Sequence, residues 1–211
     1  SILRICQQKK INFIVHDRGC DKFHYSLNNN YRHDLNMIND QITEQWNNDL
    51  SVEKKEEIGK QFFIERRQGI EQSWFSFIDK QKKGYLPSNW NIRKYNIVFY
   101  NSSIAEFAAI SDEVNPNRLF ESQQKAVEEI ADYINEMENT NFYLRLHPNL
   151  LNQSENEKNI WFNFYNNDKI HVIPPDSSVD TYSLMDNADL VIVYLSTTGI
   201  EASFKGKSVI L

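Results

Sequence analysis

The chain has 211 residues, of which 40% are hydrophobic and 13% aromatic, so its composition is that of a globular protein and excludes an intrinsically disordered one. Its formal net charge of -6 argues against nucleic acid or an anionic membrane surface as the main partner. Two cysteines without framework spacing fit a reducing compartment, and the absence of a bilayer-spanning apolar run predicts a cytoplasmic protein.

The first part of the chain predicts a partial, mostly helical region. Residues 11–16 form a short apolar strand candidate, and apolar residues recur at helical spacing over residues 35–46. A long helix is expected from about residue 51 to residue 83, with one broad aromatic face, ending at Gly84 and Pro87. We expect residues 1–94 to be part of a larger domain, within a longer chain.

The pattern changes from Tyr95 onward to short apolar segments that alternate with helical ones. The strand candidates carry no polar alternation, which favours a parallel sheet covered on both faces by helices. Right-handed crossovers would make residues 95–211 a doubly wound, Rossmann-like α/β domain. The five strand candidates are residues 96–100, 142–147, 170–174, 189–195 and 208–211.

Polar segments follow four of these strands, where the ligands of such a sheet gather. They contain Ser102 and Ser103; His147 and Pro148; Ser177 and Ser178; and the run from Ser196 to Glu201. The serines at 102, 103, 177 and 178 can also simply cap turns. None of the segments has metal-ligand spacing, so no metal is expected.

The segment STTGIE, residues 196–201, has two interpretations. A helix that begins near Gly199 would offer free N–H groups to a phosphate, with hydroxyls from Ser196, Thr197 and Thr198 and with Glu201 one turn further on. Alternatively, Thr198 and Glu201 form a capping box that needs no ligand.

The segment RLHPN, residues 145–149, places a histidine at a strand end. Pro148 predicts an extended conformation for His147, whose imidazole would project from the sheet edge towards a negatively charged leaving group. Arg145 shares that side of the strand and is a second candidate anion ligand, although a surface ion pair explains it equally well.

Taken in order, the segments NIVFYNSS, RLHPN and VIPPDSSVDTYSLMDNADLVIVYLSTTGIEASFKGKSVIL resemble the capsule polysaccharide biosynthesis proteins, GT-B-fold glycosyltransferases of bacterial surface-glycan assembly. The resemblance implies a nucleotide-sugar donor bound in the C-terminal Rossmann-like domain and a glycan or glycolipid acceptor held by the N-terminal one. It implies His147 as the catalytic group at the donor phosphate. The implied donor-binding residues are Ser102, Ser103, Arg145, Pro148, Ser196, Thr197, Thr198 and Glu201, the last at the ribose.

Several expectations follow from this resemblance and from departures from it. A complete GT-B enzyme has two Rossmann-like domains, so residues 1–94 hold only part of the acceptor side, and the fragment alone can be inactive. Asp17 is the one local candidate for the general base, although a capping or salt-bridge role fits it better. Peripheral association with capsule assembly machinery at the inner membrane is a possible partnership, and no cofactor is expected.

Two other functions fit the same pattern. A sugar-nucleotide 2-epimerase shares the GT-B architecture and would consume donor without an acceptor. A noncatalytic Rossmann-like interaction domain would use the polar strand ends as caps and the aromatic helix of residues 58–78 as a partner surface.

Overall fold

The fold was analysed in a computed structural model, which describes residues 2–19, 23–29, 35–47, 50–72, 76–103, 119–194 and 196–211. The chain divides into two compact units: one holds the described residues up to Ser76, and the other holds those from Phe77 onward. No helix among these residues combines the length and the apolar character needed to cross a bilayer.

The first unit is built from short elements. Its helices are α1 (Ile2–Gln8), α2 (Leu35–Trp46) and α3 (Val52–Arg67). Strands β1 (Val15–Arg18) and β2 (Tyr25–Asn28) pair antiparallel. Within the described part of residues 2–72 no residue is fully buried, so the apolar side chains of this unit build no core there.

Helix α3 is shorter than the sequence pattern predicts, and the prediction of a helix to residue 83 is wrong. Gly69 adopts a left-handed conformation with φ of 77°, its N–H donates to the Arg66 carbonyl, and the Ile70 N–H donates to the Glu65 carbonyl. These two bonds form a Schellman motif, which ends a helix. The continuous aromatic face of residues 58–78 therefore does not exist; Trp74 lies outside the described residues.

The second unit contains the parallel sheet that the sequence predicts. Its strand order is β5-β4-β3-β6-β7, and all neighbours are parallel. The strands are β3 (Tyr95–Tyr100), β4 (Thr140–Arg145), β5 (His171–Ile173), β6 (Leu190–Val193) and β7 (Ser208–Ile210). The doubly wound α/β prediction is confirmed.

Helices cover both faces of this sheet. The helices are α4 (Gln123–Asn135), α5 (Glu155–Phe162), α6 (Thr181–Asn187) and α7 (Thr197–Phe204), with 3-10 turns at Pro148–Asn152 and Asn163–Asn166. Alternate residues of the strands point to opposite faces, which produces two separate cores. Phe99 and Leu144 pack with Trp161 on the face of α4 and α5, whereas Val98 and Tyr143 belong to the face of α6 and α7.

Residues 77–94 pack with the sheet unit, whereas the sequence pattern predicts a domain boundary near Lys94. Asp180, the N-cap of α6, accepts hydrogen bonds from the Gly84 N–H at 2.8 Å and from the Tyr182 N–H at 3.0 Å. Gln81 accepts a hydrogen bond from the Thr181 N–H at 2.8 Å. The segment before β3 is thus fastened to the first turn of α6, on the face that carries Tyr143.

Gly199 allows α7 to lie close against the sheet. A Cβ atom built there would stand 2.3 Å from the Leu211 side chain and 2.7 Å from a Val193 methyl group. Val193 is 3% exposed and β-branched, so it cannot move aside easily. The glycine in the STTGIE segment is therefore explained by packing of the helix on β6.

We predict that Gly199→Ala destabilises the second unit by about 1–3 kcal/mol through overpacking. Urea denaturation followed by tryptophan fluorescence would measure the loss. Ser203→Ala, on an exposed position of the same helix, is the matched control and should leave stability within about 0.5 kcal/mol of the unmodified protein. Equal effects of the two changes would contradict the close approach.

Candidate functional site

The predicted site residues lie at the carboxyl edge of the sheet. Strand β3 is central, and β4 and β6 flank it, so the chain segments that follow these three strands all leave from the same edge of the sheet. Neighbouring strands lie about 4.8 Å apart, which places the ends of β4 and β6 about 10 Å from each other. The structure thus brings His147, after β4, and the Ser196 turn, after β6, to the same edge; a single shared hollow stays a prediction.

His147 has the extended conformation that Pro148 predicts, with φ of -63° and ψ of 132°. Its Nδ1 accepts a hydrogen bond from the Asn149 N–H at 3.1 Å, so the neutral ring carries its proton on Nε2. The ring packs edge-on against Phe77, with 4.9 Å between centroids. Burial, and then the charge of Arg145, lowers the pKa of His147 to about 4. At neutral pH the group is therefore an uncharged Nε2–H donor.

Arg145 is the most unusual group at this edge. Its side chain is 2% exposed, one terminal nitrogen donates to the Pro174 carbonyl, and Nε and the other terminal nitrogen have no hydrogen-bond partner among the described residues. Burial lowers its pKa to about 10, which still leaves the guanidinium charged at neutral pH. The surface ion pair considered from the sequence is wrong, because the side chain is buried and no described carboxylate pairs with it.

The hydroxyl, the N–H and the carbonyl of Ser102 all form hydrogen bonds within the protein. Its hydroxyl donates to the Tyr194 carbonyl at 2.9 Å, and its N–H donates to Gln123 Oε1 at 2.9 Å. The Gln123 amide nitrogen donates in return to the Ser102 carbonyl at 3.2 Å. Ser103 follows and is buried as well. In this arrangement Ser102 joins the ends of β3 and β6; its predicted contact with a donor stays a prediction.

The turn before α7 is capped by Ser196. The Ser196 hydroxyl accepts a hydrogen bond from the Thr198 N–H at 3.3 Å and donates to Thr198 Oγ1 at 3.2 Å. The helix begins at Thr197, so Thr198 is already helical and cannot be the N-cap. Thr197 itself is exposed. The capping box of Thr198 and Glu201 is therefore wrong, and the helix starts two residues earlier than Gly199.

Glu201 lies in the second turn of α7 and is only 8% exposed. Its Oε2 accepts a hydrogen bond from the Tyr182 hydroxyl at 2.8 Å. Tyr182 belongs to the first turn of α6, and the neighbouring Thr181 carbonyl accepts from the Tyr100 hydroxyl at 3.1 Å. Hydrogen bonds thus link Tyr100, at the end of β3, to the first turn of α6, and that turn to Glu201. The contact of Glu201 with a ribose stays a prediction.

The remaining candidates have local roles. The Ser177 hydroxyl accepts from the Val179 N–H, as a turn cap does, and the Ser178 carbonyl accepts from the Lys82 N–H. Asp17 lies on β1 in the other unit, where its carboxylate accepts from the Arg18 N–H, and its role as a base stays a prediction. Within the described ranges no group of three His, Cys, Asp or Glu side chains could hold a metal ion.

Three residues at this edge were missed from the sequence: Asn101, Gln123 and Tyr182. Asn101 Oδ1 accepts a hydrogen bond from the His147 N–H at 2.6 Å. The signal for Asn101 was its position directly after a strand, beside the serines that were chosen. Gln123 is far from any motif, and only the fold shows that its amide meets Ser102.

We predict that NMR titration of the imidazole gives a pKa for His147 near 4, well below 6.5. Because the folded-state pKa lies below the unfolded value, the stability due to this group is complete above about pH 6.5 and decreases as the pH falls towards 4. Chemical denaturation between pH 4 and 7 should show this decrease, and His147→Gln should reduce it. A pKa at or above 6.5 would show that the ring is not buried.

Comparisons with known proteins report on the fold alone. No protein-family model matches the chain, and no curated protein matches it. KpsC of Thermosulfurimonas dismutans, a beta Kdo 2,4 transferase, superposes with a TM-score of 0.55 at 11% identity, over 98% of this chain and 63% of that one. A Listeria monocytogenes protein assigned as a UDP-N-acetylglucosamine 2-epimerase superposes with a TM-score of 0.41 at 16% identity, over 62% of this chain and 31% of that one.

The likeness to KpsC covers both units, and KpsC has a GT-B-type fold. The resemblance to GT-B capsule proteins that the motifs indicated is therefore confirmed at the level of the fold. The chain spans less than two thirds of the length of either solved protein.

Proposed function

We propose that the second unit binds the phosphate of a nucleotide-sugar and forms the donor side of a glycosyltransferase that extends a capsule or surface polysaccharide. The observation that carries this proposal is the buried guanidinium of Arg145, near the uncharged Nε2–H of His147. The Arg145 Nε and one terminal nitrogen have no hydrogen-bond partner in the described part of the chain. These groups lie at the carboxyl edge of a doubly wound sheet, where such folds bind nucleotides.

The physical argument for an anion rests on the cost of an unpartnered buried charge. Removing a charged group from water without compensation costs several kcal/mol. A phosphate supplies the missing charge and the missing acceptors together, since two of its oxygens match the parallel N–H bonds of a guanidinium. Asp176 is close enough to favour the charged form of Arg145 but forms no ion pair with it.

His147 supports the same conclusion in a different way. An uncharged imidazole with its proton on Nε2 donates one hydrogen bond without needing a counterion. As the bond between the sugar carbon and the leaving phosphate oxygen breaks, that oxygen receives the electron pair, and the Nε2–H and the guanidinium stabilise the added charge. The acceptor oxygen forms the new bond to the sugar carbon and releases its proton to a base.

The far side of the crevice would hold the rest of the donor. Backbone N–H groups at the start of α7 favour an anion, and the exposed Thr197 offers a further hydroxyl. Glu201, held by Tyr182, would accept hydrogen bonds from the ribose. Acceptor binding, a general base and association with assembly machinery at the membrane are also part of the proposal. This chain spans 63% of KpsC, so these functions can involve residues outside it.

We predict that Arg145→Met in the full-length protein weakens nucleotide-sugar binding by at least about tenfold, since hydrogen bonds to charged groups contribute about 1.5–3 kcal/mol. The same change should leave the free energy of unfolding unchanged or raised, because it removes an uncompensated buried charge. The Pro174 carbonyl keeps its bond from the Ser177 N–H in the variant. Calorimetry with CMP, UDP and GDP sugars, combined with denaturation, measures both quantities.

The matched control compares two histidines of the same sheet. His147→Gln should weaken binding, whereas His171→Gln, at the amino end of β5, should not. If full-length protein binds no nucleotide, or if Arg145→Met binds as tightly as the unmodified protein, the proposal is wrong. Product analysis with donor alone separates a transferase from an epimerase, since only the epimerase consumes donor without an acceptor.

A further inference from the structure

The hydrogen bonds that pair β3 with β4 change from backbone bonds to a side-chain bond at the carboxyl edge of the sheet. Within the strands, backbone groups pair in register up to Tyr100 and Arg145, and the Asn101 N–H still donates to the Arg145 carbonyl at 3.4 Å. At the next step a side chain takes over, because Asn101 Oδ1 accepts from the His147 N–H at 2.6 Å. Asn101 is 2% exposed, so water does not compete for this bond.

Pro148 explains why a side chain is needed at this point. The chain turns away from the sheet into the 3-10 turn that begins at Pro148, so the pairing with β3 cannot continue past His147. Without a partner, the His147 N–H would lose its hydrogen bonds to water at this strand end and gain none in return, which is destabilising. The Asn101 amide oxygen satisfies that N–H and holds the His147 backbone at a defined distance from β3.

The residue after Asn101 makes the equivalent connection on the other side. Ser102 donates through its hydroxyl to the Tyr194 carbonyl at the end of β6, and Gln123 holds the Ser102 N–H and carbonyl. Ser102 and Gln123 are each 4% exposed. Two successive residues directly after β3 thus hold the two neighbouring strand ends, one that carries His147 and one that leads to Ser196.

We propose that Asn101 is a positioning residue: through the His147 N–H it sets the place of the imidazole relative to Arg145, and with Ser102 it sets the separation between the two sides of the anion site. This inference rests on the proposed function for its effect on binding, but its effect on His147 is independent of any ligand. Correct placement matters because displacement of a binding group by about 1 Å can cost about 100-fold in rate.

The chain offers a matched control at the opposite end of the same strand. Asn96 is also 2% exposed, and its side chain donates to the Asn91 and Lys94 carbonyls, each at 2.9 Å. It lies at the amino edge of β3, a strand length away from His147. Asn96→Ala removes at least as many hydrogen bonds as Asn101→Ala and should cost comparable stability, without touching the anion site.

The experiment compares Asn101→Ala with Asn96→Ala in the full-length protein. We expect Asn101→Ala to move the pKa of His147, measured by NMR titration without ligand, upward from about 4 towards 6.5. We also expect it to weaken binding of a CMP, UDP or GDP sugar at least about tenfold. Asn96→Ala should leave the pKa of His147 unchanged and the affinity for the nucleotide-sugar within about twofold of that of the unmodified protein.

The inference is overturned if Asn101→Ala lowers stability but leaves the pKa of His147 and the affinity unchanged, or if Asn96→Ala changes them equally. Asn101→Ser, which shortens the side chain but keeps it polar, gives the same comparison if the alanine variant does not fold. Failure of the unmodified protein to bind any nucleotide would contradict the proposed function instead, and the pKa comparison would still decide the role of Asn101.

Discussion

The structure of the candidate site depends on one charge, the guanidinium of Arg145. Its side chain is buried at the end of β4, and two of its three nitrogens have no partner among the described residues. A buried group of this kind is costly unless an anion completes it. A protein tolerates this loss of stability where the partner of the buried charge is a ligand. Burial also lowers the pKa of His147, so its ring is uncharged at neutral pH and can donate a hydrogen bond.

The topology of the sheet explains why the other polar groups gather around that charge. Strand β3 lies between β4 and β6, so one short segment after it can reach both neighbouring strand ends. Asn101 bonds to the His147 N–H and Ser102 bonds to the Tyr194 carbonyl. The side chains of this segment hold the edge together, so the proposed contacts with a ligand come from groups on the flanking strands.

Much of the sheet could be predicted from the sequence because its strands are continuous apolar runs. All five strands overlap the residues that the pattern indicated, helical segments lie between them, and Pro148 correctly predicted the extended His147. Helix α3 was predicted too long, since apolar spacing continued past Gly69 whereas the backbone turned there. The cap of α7 was misplaced because Ser196 and Thr198 are both good N-cap residues, and the sequence does not show which of them leaves the strand first.

The site itself was less predictable. The burial of Arg145 and the bond that Asn101 Oδ1 accepts from the His147 N–H depend on which strands are neighbours, and spacing along the chain does not contain that information. A basic residue three positions before a strand-ending proline is equally compatible with a surface ion pair. The distinction required the strand order, which places Arg145 beside Tyr100 and under the turn at Pro174.

The most direct measurement is a crystal structure of the full-length protein with a bound nucleotide-sugar. The account predicts that phosphate oxygens lie about 2.7–3.2 Å from the unpartnered nitrogens of Arg145, with His147 Nε2 donating to the same phosphate. A phosphate bound elsewhere, with the guanidinium turned onto Asp176 or still unpartnered, would contradict it.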